Sequence, residues 1–323
     1  MTLKVLNAGP LSLLQDTGRM GFQGIGVAVG GPMDEHAFHW ANHLLGNDVN
    51  AVQIEITLGL FQCEFSQPTQ IALTGANMFA ELDGEQIQPW ASYHVKTGSI
   101  LKCKTVRQGM RAYLAIQHGF EVNQVLNSCS TVMRDEIGGL HGRGEPLTKG
   151  DEVSYRAAEH DLLRQVPTEF IPQYPELTAT TTPCILDMIA TYQYEQFSKA
   201  ARQQFFNSTY TVSPNSDRMG YRLSGDSVEY CGENLISEGI TFGAIQIPSD
   251  GQPIVLMADH QTIGGYPKIG CLTRISISKL AQCSPGTKVQ FQLVGREQAE
   301  QQYREMLRFF LRGEVKTSSL THL

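Results

Sequence analysis

The 323-residue sequence predicts a mainly β fold, and three observations carry that reading. Short apolar and β-branched runs recur along its length, each bounded by Gly, Pro or Asp. Thirty-one glycines against 14 prolines favour strands joined by tight loops. Helical spacing is rare and no helix falls between each pair of strands. That points to antiparallel sheets or barrels rather than a doubly wound sheet.

In the first half the strand-like runs are Leu3–Leu6, Gln53–Thr57, Gln70–Leu73, Ile100–Cys103, Ala112–Ile116 and Glu152–Tyr155. One early helix is expected from Asp34 to Leu45, with Asp34 as N-cap and Gly46 as its stop. The second half repeats the pattern at Cys184–Ile189, Thr209–Val212, Ala244–Ile247, Ile254–Met257, Arg274–Ile277 and Lys288–Leu293. Helices are expected over Gln193–Phe206 and, amphipathic, over Glu297–Leu311. Between the halves, Ala157–Pro183 holds four prolines and the polar run Thr178–Thr182, and reads as a connection. The division is therefore placed at 1–165 and 166–323, each part long enough for one β-barrel.

Composition removes several function classes. The net charge is −7, only 18% of residues are charged, and no basic stripe interrupts the chain. A nucleic-acid partner is not expected, because phosphate binding needs clustered Lys and Arg. Seven cysteines without a Cys-x-x-Cys pair argue against a disulfide framework or zinc knuckle and suit reduced thiols. Apolar stretches are strand-sized, and the N-terminus is broken at Gly9-Pro10. No signal peptide, membrane span or membrane partner is expected, and the location is read as cytoplasmic. There is no P-loop, no complete dinucleotide fingerprint and no Gly-x-Ser-x-Gly elbow. His36 and His39 lack a matching third ligand, so no metal site is expected.

Chemistry concentrates between Val212 and Lys268. Asp217 and Arg218 lie in a turn opened by Ser213-Pro214, with Arg222 four residues on. One reading is a turn salt bridge. The other is an Arg fork offered to a carboxylate or phosphate, with Asp217 as orienter or base. Gly264-Gly265-Tyr266-Pro267-Lys268 is either a hairpin turn or an anion-binding concavity of backbone amides beside a lysine. Asp259, His260, Gln261 and Thr262 precede it, where an apolar strand ends. Asn42, two turns along the early helix, is either a structural hydrogen-bonder or a ligand contact.

The motifs SPNSDRMGYRLSG, SEG…GAIQIP…GQP and QTIGGYPK resemble the carboxyltransferase-domain family. That family includes the C subunit of 5-oxoprolinase, allophanate hydrolase subunit 2 and the carboxyltransferase portion of urea carboxylase. LLQDTGRMGFQGIGV, GGPMDEHAFHWANHLLGN, ALTGA, MRAYLAIQHG and GGLHGR…LTKGD stand in the same order. The resemblance runs from about Leu3 to Leu293. It implies two cyclophilin-like β-barrel domains. It further implies ATP-dependent opening of 5-oxoproline to L-glutamate, with homologues of the 5-oxoprolinase B and A subunits as partners and the B subunit in direct contact. ATP would carry Mg as its counterion. Urea carboxylase relatives imply instead carboxyl transfer from biotin, and a non-catalytic role beside the B subunit is a third reading.

Carried over position by position, Asp217, Lys268 and Glu238 are the expected catalytic residues. Asn42, Arg218, Gln246, Gln261 and Tyr266 are the expected substrate-binding residues. Lys268 is expected in a concave pocket with Asp217 or Arg218 and with Gln246 or Gln261, approached by Asn42 from the first domain. Its removal is expected to spare the fold, as for any solvated lysine. The chain departs from the pattern in LGLFQCEF (58–65), His118-Gly119-Phe120, SCSTVMRDEIGG (128–139), ATYQYEQF (190–197), which lacks a usual Gly-Pro, and Thr262-Ile263.

Overall fold

The computed structural model describes residues 1–158, 162–177, 182–232, 235–311 and 318–319. The chain divides into two compact units. The first comprises Met1–Arg19, Gly30–Tyr174 and the chain from Leu307; the second comprises Met20–Val29 and Pro175–Met306. Neither is the single continuous stretch that a cut after residue 165 describes.

Unit 1 holds two seven-stranded sheets. The first centres on Thr2–Ala8, paired antiparallel with Glu152–Tyr155 and Phe61–Phe65. The second runs in the order Leu11–Gln15, Gln53–Thr57, Arg111–Ile116, Thr69–Gly75 and Ala91–Val95, then two short edge strands, Arg164–Gln165 and Ser318–Ser319. Its strands Gln53–Thr57, Thr69–Gly75 and Arg111–Ile116 are buried at every position. Burial at consecutive positions requires cover on both faces. Helix α1 (Glu35–Leu44) supplies one cover by packing on Thr69–Gly75 and Arg111–Ile116.

The expected cap of α1 is present: Asp34 Oδ1 accepts from the Ala37 N–H at 3.1 Å. Gly46 follows the helix at φ 64°, a left-handed angle suited to a stop. The second Asp34 oxygen accepts from the Tyr174 hydroxyl at 3.0 Å. Tyr174 belongs to the stretch read as a connection, which is more than a linker. Arg164–Gln165 pairs with Ala91 at the sheet edge, and Arg164 donates to the Leu44 carbonyl at 3.1 Å. Phe170 stacks on Phe309 and tilts against Trp40. Its prolines stop helices without preventing packing. Part of the Thr178–Thr182 run lies outside the described residues.

Unit 2 is a closed barrel of seven strands. In order they are Cys184–Ala190, Lys268–Leu272, Ala244–Gln246, Ile254–Leu256, Gly220–Ser224, Tyr210–Val212 and Lys288–Leu293. A parallel pairing of Cys184–Ala190 with Lys288–Leu293 closes it; the other pairings are antiparallel. A separate ribbon joins Glu238–Gly239 to Ile263–Gly264.

Two second-half expectations need correction. The helix expected over Gln193–Phe206 is a 3-10 turn, Tyr194–Gln196, followed by α2 (Lys199–Asn207). Ser198 caps α2 by accepting from the Ala201 N–H, so the helix starts later than its aromatic spacing suggested. Phe205 of α2 stacks on Phe291, ring centroids 4.6 Å apart. The strand expected at Arg274–Ile277 is the start of α3 (Arg274–Ala281). Thr273 caps it by accepting from the Ser276 N–H at 3.2 Å. Ile277, Leu280 and Ala281 then share a buried helical face, and that spacing outweighs the short Ile275/Ile277 alternation. The C-terminal amphipathic helix is α4 (Arg296–Leu311).

Candidate functional site

The site is built where barrel strands end. Cys184–Ala190 runs into Thr191, Tyr192 and Gln193, and its antiparallel neighbour begins at Lys268. Lys268 in turn faces Gln246, beside an irregularity in register at Ile245/Gln246. Such a bulge re-aims side chains at a barrel rim. The ribbon sets Glu238 opposite Gly264, four residues before Lys268.

These elements bring polar side chains together. Lys268 Nζ pairs with Glu238 Oε1, and the Tyr192 hydroxyl donates to the same oxygen. Gln193 Nε2 donates to Glu238 Oε1 at 3.1 Å and to the Tyr192 hydroxyl oxygen at 3.0 Å. The opposite end of that carboxamide accepts the Lys268 backbone N–H at 2.7 Å. The Thr191 hydroxyl donates to the Lys268 carbonyl. Lys268 is 5% exposed, so the expectation of a solvated lysine was wrong. Its burial follows from its place at the start of a barrel strand, with both main-chain groups and the ammonium satisfied.

Charge and hydrogen bonding set the electrostatics. The Glu238 carboxyl is held below its ordinary value of 4.5, first by the hydrogen bond from Lys268 and then by that from Tyr192. The Tyr192 phenol is pushed up to about 12, chiefly because it donates to the Glu238 carboxylate. Glu238 is thus ionised and Tyr192 neutral at ordinary pH. A carboxylate with three donors on one oxygen is a weak base and a good hydrogen-bond acceptor.

A cavity of about 600 Å³ lies against this cluster, its wall including Tyr192, Gln193, Gln196, Tyr230 and Glu238. Lys268 is not among its lining residues. A neighbouring cavity of about 760 Å³ shares Tyr230 and Leu235 and is lined also by Gly265, Tyr266 and Pro267. Tyr266 is half exposed there.

Gln246 and Gln261 meet at Gly264. A Cβ on Gly264 would lie 3.0 Å from Gln246 Nε2 and 3.3 Å from Gln261 Nε2, so glycine lets the two carboxamides close over the ribbon. Gln246 is 2% exposed, and its Nε2 has no hydrogen-bond partner among the described residues. The expected backbone anion concavity at Gly264-Gly265 is instead partly taken up by the ribbon, where Gly264 pairs with Glu238.

Three expected site residues are engaged elsewhere. Asp217 Oδ1 accepts from the backbone N–H groups of Met219 at 2.8 Å and Gly220 at 3.1 Å, which makes it the former of its own turn. Arg218 grips Asp259 with Nε and Nη2, both at 2.9 Å, with both side chains buried. The fork is real but its carboxylate comes from this chain. Asn42 belongs to unit 1 and uses both ends of its amide there, donating to the Ala51 carbonyl at 3.0 Å and accepting from Asn47 at 3.1 Å.

A family model of the carboxyltransferase domain, subdomains A and B, matches residues 25–293. The chain belongs to the carboxyltransferase-domain family. That match takes in every residue of the cluster. The carboxyltransferase-domain chain is 36% identical to the C subunit of 5-oxoprolinase from Escherichia coli K12, over 95% of its own length and 96% of that protein's. Against the C subunit of 5-oxoprolinase from Haemophilus influenzae the identity is 35%, over 92% and 93%. Urea carboxylase of Kluyveromyces lactis matches in structure with a TM-score of 0.89 at 28% identity, covering all of this chain and 30% of that one. Urea amidolyase of the same yeast gives a TM-score of 0.88 at 27% identity, and the chain spans only 20% of its length. The family thus comprises both free-standing subunits and parts of far larger enzymes.

Within this carboxyltransferase-domain chain, Tyr192 and Gln193 are the site residues that sequence reasoning missed. The expected helix takes Gln193 as its start, and Tyr192, just before it, figures only within ATYQYEQF as a departure from the family pattern. The available signal was ATYQ at the end of an apolar strand, where loop-borne polar groups gather.

Proposed function

We propose that this chain is the C subunit of an ATP-dependent 5-oxoprolinase, opening 5-oxoproline to L-glutamate together with the A and B subunits in the cytoplasm. The observation that carries this reading is coverage. The 5-oxoprolinase subunits match over nearly their whole length, whereas the urea enzymes extend far beyond this chain. No helix among the described residues is long and apolar enough to cross a membrane.

The cluster supports a role at the lactam. Opening it adds a water oxygen to the carbonyl carbon, breaks the C–N bond and delivers a proton to the departing nitrogen. Glu238 and Tyr192 line the cavity, the carboxylate as an acceptor and the phenol with its one O–H committed to that carboxylate. Lys268 acts through Glu238 as a positioning residue, keeping the carboxylate ionised. The donor set does not fit a triphosphate. The Lys268 ammonium is already neutralised by Glu238, so an incoming group meets a phenol and a carboxylate instead of free cations. ATP and its Mg are therefore assigned to the assembled complex, and no step of their chemistry to this cluster.

The structural match to urea carboxylase favours a second reading, biotin-dependent carboxyl transfer. A biotin ureido ring, like a lactam, presents an N–H and a carbonyl. The deciding assay mixes the purified chain with its native A and B subunits, Mg-ATP and 5-oxoproline. ATP-dependent glutamate release that is lost with Lys268→Met supports the proposal. Release only of carboxylated product in the presence of a biotin carrier supports the alternative. A complex that assembles and turns over regardless of Lys268→Met and Glu238→Gln assigns the chain a non-catalytic role.

A further inference from the structure

All three donors that hold Glu238 converge on a single oxygen. Lys268 Nζ, Gln193 Nε2 and the Tyr192 hydroxyl each bond Oε1. Oε2 has no partner among the described residues, although Glu238 is part of the wall of the 600 Å³ cavity. A carboxylate accepts at both oxygens, so one fully subscribed and one open oxygen define a directional acceptor. We infer that Glu238 Oε2 is a subsite for the N–H of a cyclic amide or ureide, and that Gln193 and Tyr192 are positioning residues that turn this oxygen to the ligand. This rests on the reading of the cluster as a substrate site.

The ligand class follows from what the oxygen can accept. An ionised carboxylate repels another anion and cannot donate, so it pairs with N–H or O–H donors. Its depressed proton affinity makes it an acceptor rather than a base that strips the N–H. Tyr192, 68% exposed, adds a phenol beside that oxygen, and Tyr230 adds an aromatic wall. Gln193 is buried and spans the Lys268 main chain and the Glu238 carboxylate, so its amide fixes the orientation of both. A ring that presents an uncharged N–H edge suits such a pocket, with any carboxylate it carries, as in 5-oxoproline, turned away from Glu238. An N-methylated ring or a lactone offers the open oxygen nothing.

The test is a set of affinities measured by ligand-observed NMR on the full chain: 5-oxoproline against its N-methyl derivative, with the corresponding lactone acid as a third probe. The wild type is expected to prefer the N–H ring by about tenfold or more, as for a hydrogen bond to a charged acceptor. In Glu238→Gln the three donors retain the amide oxygen, and the amide nitrogen takes the Oε2 position, donor against donor. The preference should fall to within about twofold. Gln193→Leu and Tyr192→Phe should lower the same ratio, which loss of folded protein alone does not change. Equal wild-type affinity for all three probes, no binding of any, or an undiminished ratio in folded Glu238→Gln would each overturn the subsite. A preserved ratio pattern without glutamate release by the complex overturns the proposed function and leaves the subsite standing. Glutamate release with an unchanged ratio in Glu238→Gln does the reverse.

Discussion

The backbone N–H of Lys268 donates to Gln193 Oε1 at 2.7 Å, across the rim of the barrel. One side chain thereby serves as main-chain partner to a strand that is not its own. Gln193→Ala leaves that N–H and the Glu238 carboxylate each short of a partner. A loss of about 1–3 kcal/mol is expected, the usual cost of an unsatisfied buried polar group. Urea denaturation of the variant measures it, and an unchanged midpoint would remove Gln193 from the framework.

Asp259→Ala removes the bidentate carboxylate partner of the buried Arg218 guanidinium and should cost about 3–5 kcal/mol. Replacing both partners with apolar residues, Arg218→Met with Asp259→Leu, should recover most of that loss. Thermal unfolding of the two variants separates a pair kept for stability from one that merely must not be broken.

Glu238 carries a folded-state pKa below its unfolded value of about 4.5. The unfolded chain therefore takes up its proton first as pH falls. The contribution of this carboxylate is complete above that value and is lost as pH drops through the lower folded one. In wild type minus Glu238→Gln, the difference in urea midpoint should shrink steadily on acidification below about pH 5. Because the carboxylate is part-exposed, the effect is small.

Tyr192 behaves in the opposite sense. Its phenol is raised to about 12 against 10.0 in a free chain, so the stabilisation is complete below pH 10 and disappears as pH rises through 12. Difference absorbance of phenolate between wild type and Tyr192→Phe should show a late-titrating tyrosine, and Glu238→Gln should bring it earlier.

At the start of α1, Asp34→Ala removes both the cap to Ala37 and the acceptor for Tyr174. About 1–2 kcal/mol should be lost, and Asp34→Asn should restore much of it because it keeps an N-cap oxygen. Chemical denaturation of the pair checks the ordering.

The β content was readable because strands such as Gln53–Thr57, Glu152–Tyr155 and Lys288–Leu293 are short, bounded by turn residues and rich in β-formers. The cap at Asp34 was readable for the same local reason. Lys268, Glu238, Gln246 and Gln261 could be gathered into one region from motif residues. What separated them from Asp217, Arg218 and Asn42 was the choice of partner, which is a property of strand register. Arg218 meets Asp259 because Gly220 pairs with Leu256. No local pattern encodes that choice. Gln193 was hidden by aromatic residues at helical spacing that belong partly to a 3-10 turn, and Ser198 was the overlooked start signal.

The barrel of unit 2 is sealed by its first strand lying alongside its last, Cys184 opposite Val289. During synthesis the early strand leaves the ribosome with one edge unpaired until the last strand has emerged. Strand edges left open invite pairing with other chains, and contacts so distant in sequence form late. Thr191, Tyr192 and Gln193, which continue directly from that first strand, bond Lys268 and Glu238, so their own partners are made before the closing strand. A nascent chain arrested before Lys288 should therefore be sensitive to protease along the open edge of Cys184–Met188, even though every rim residue has been made.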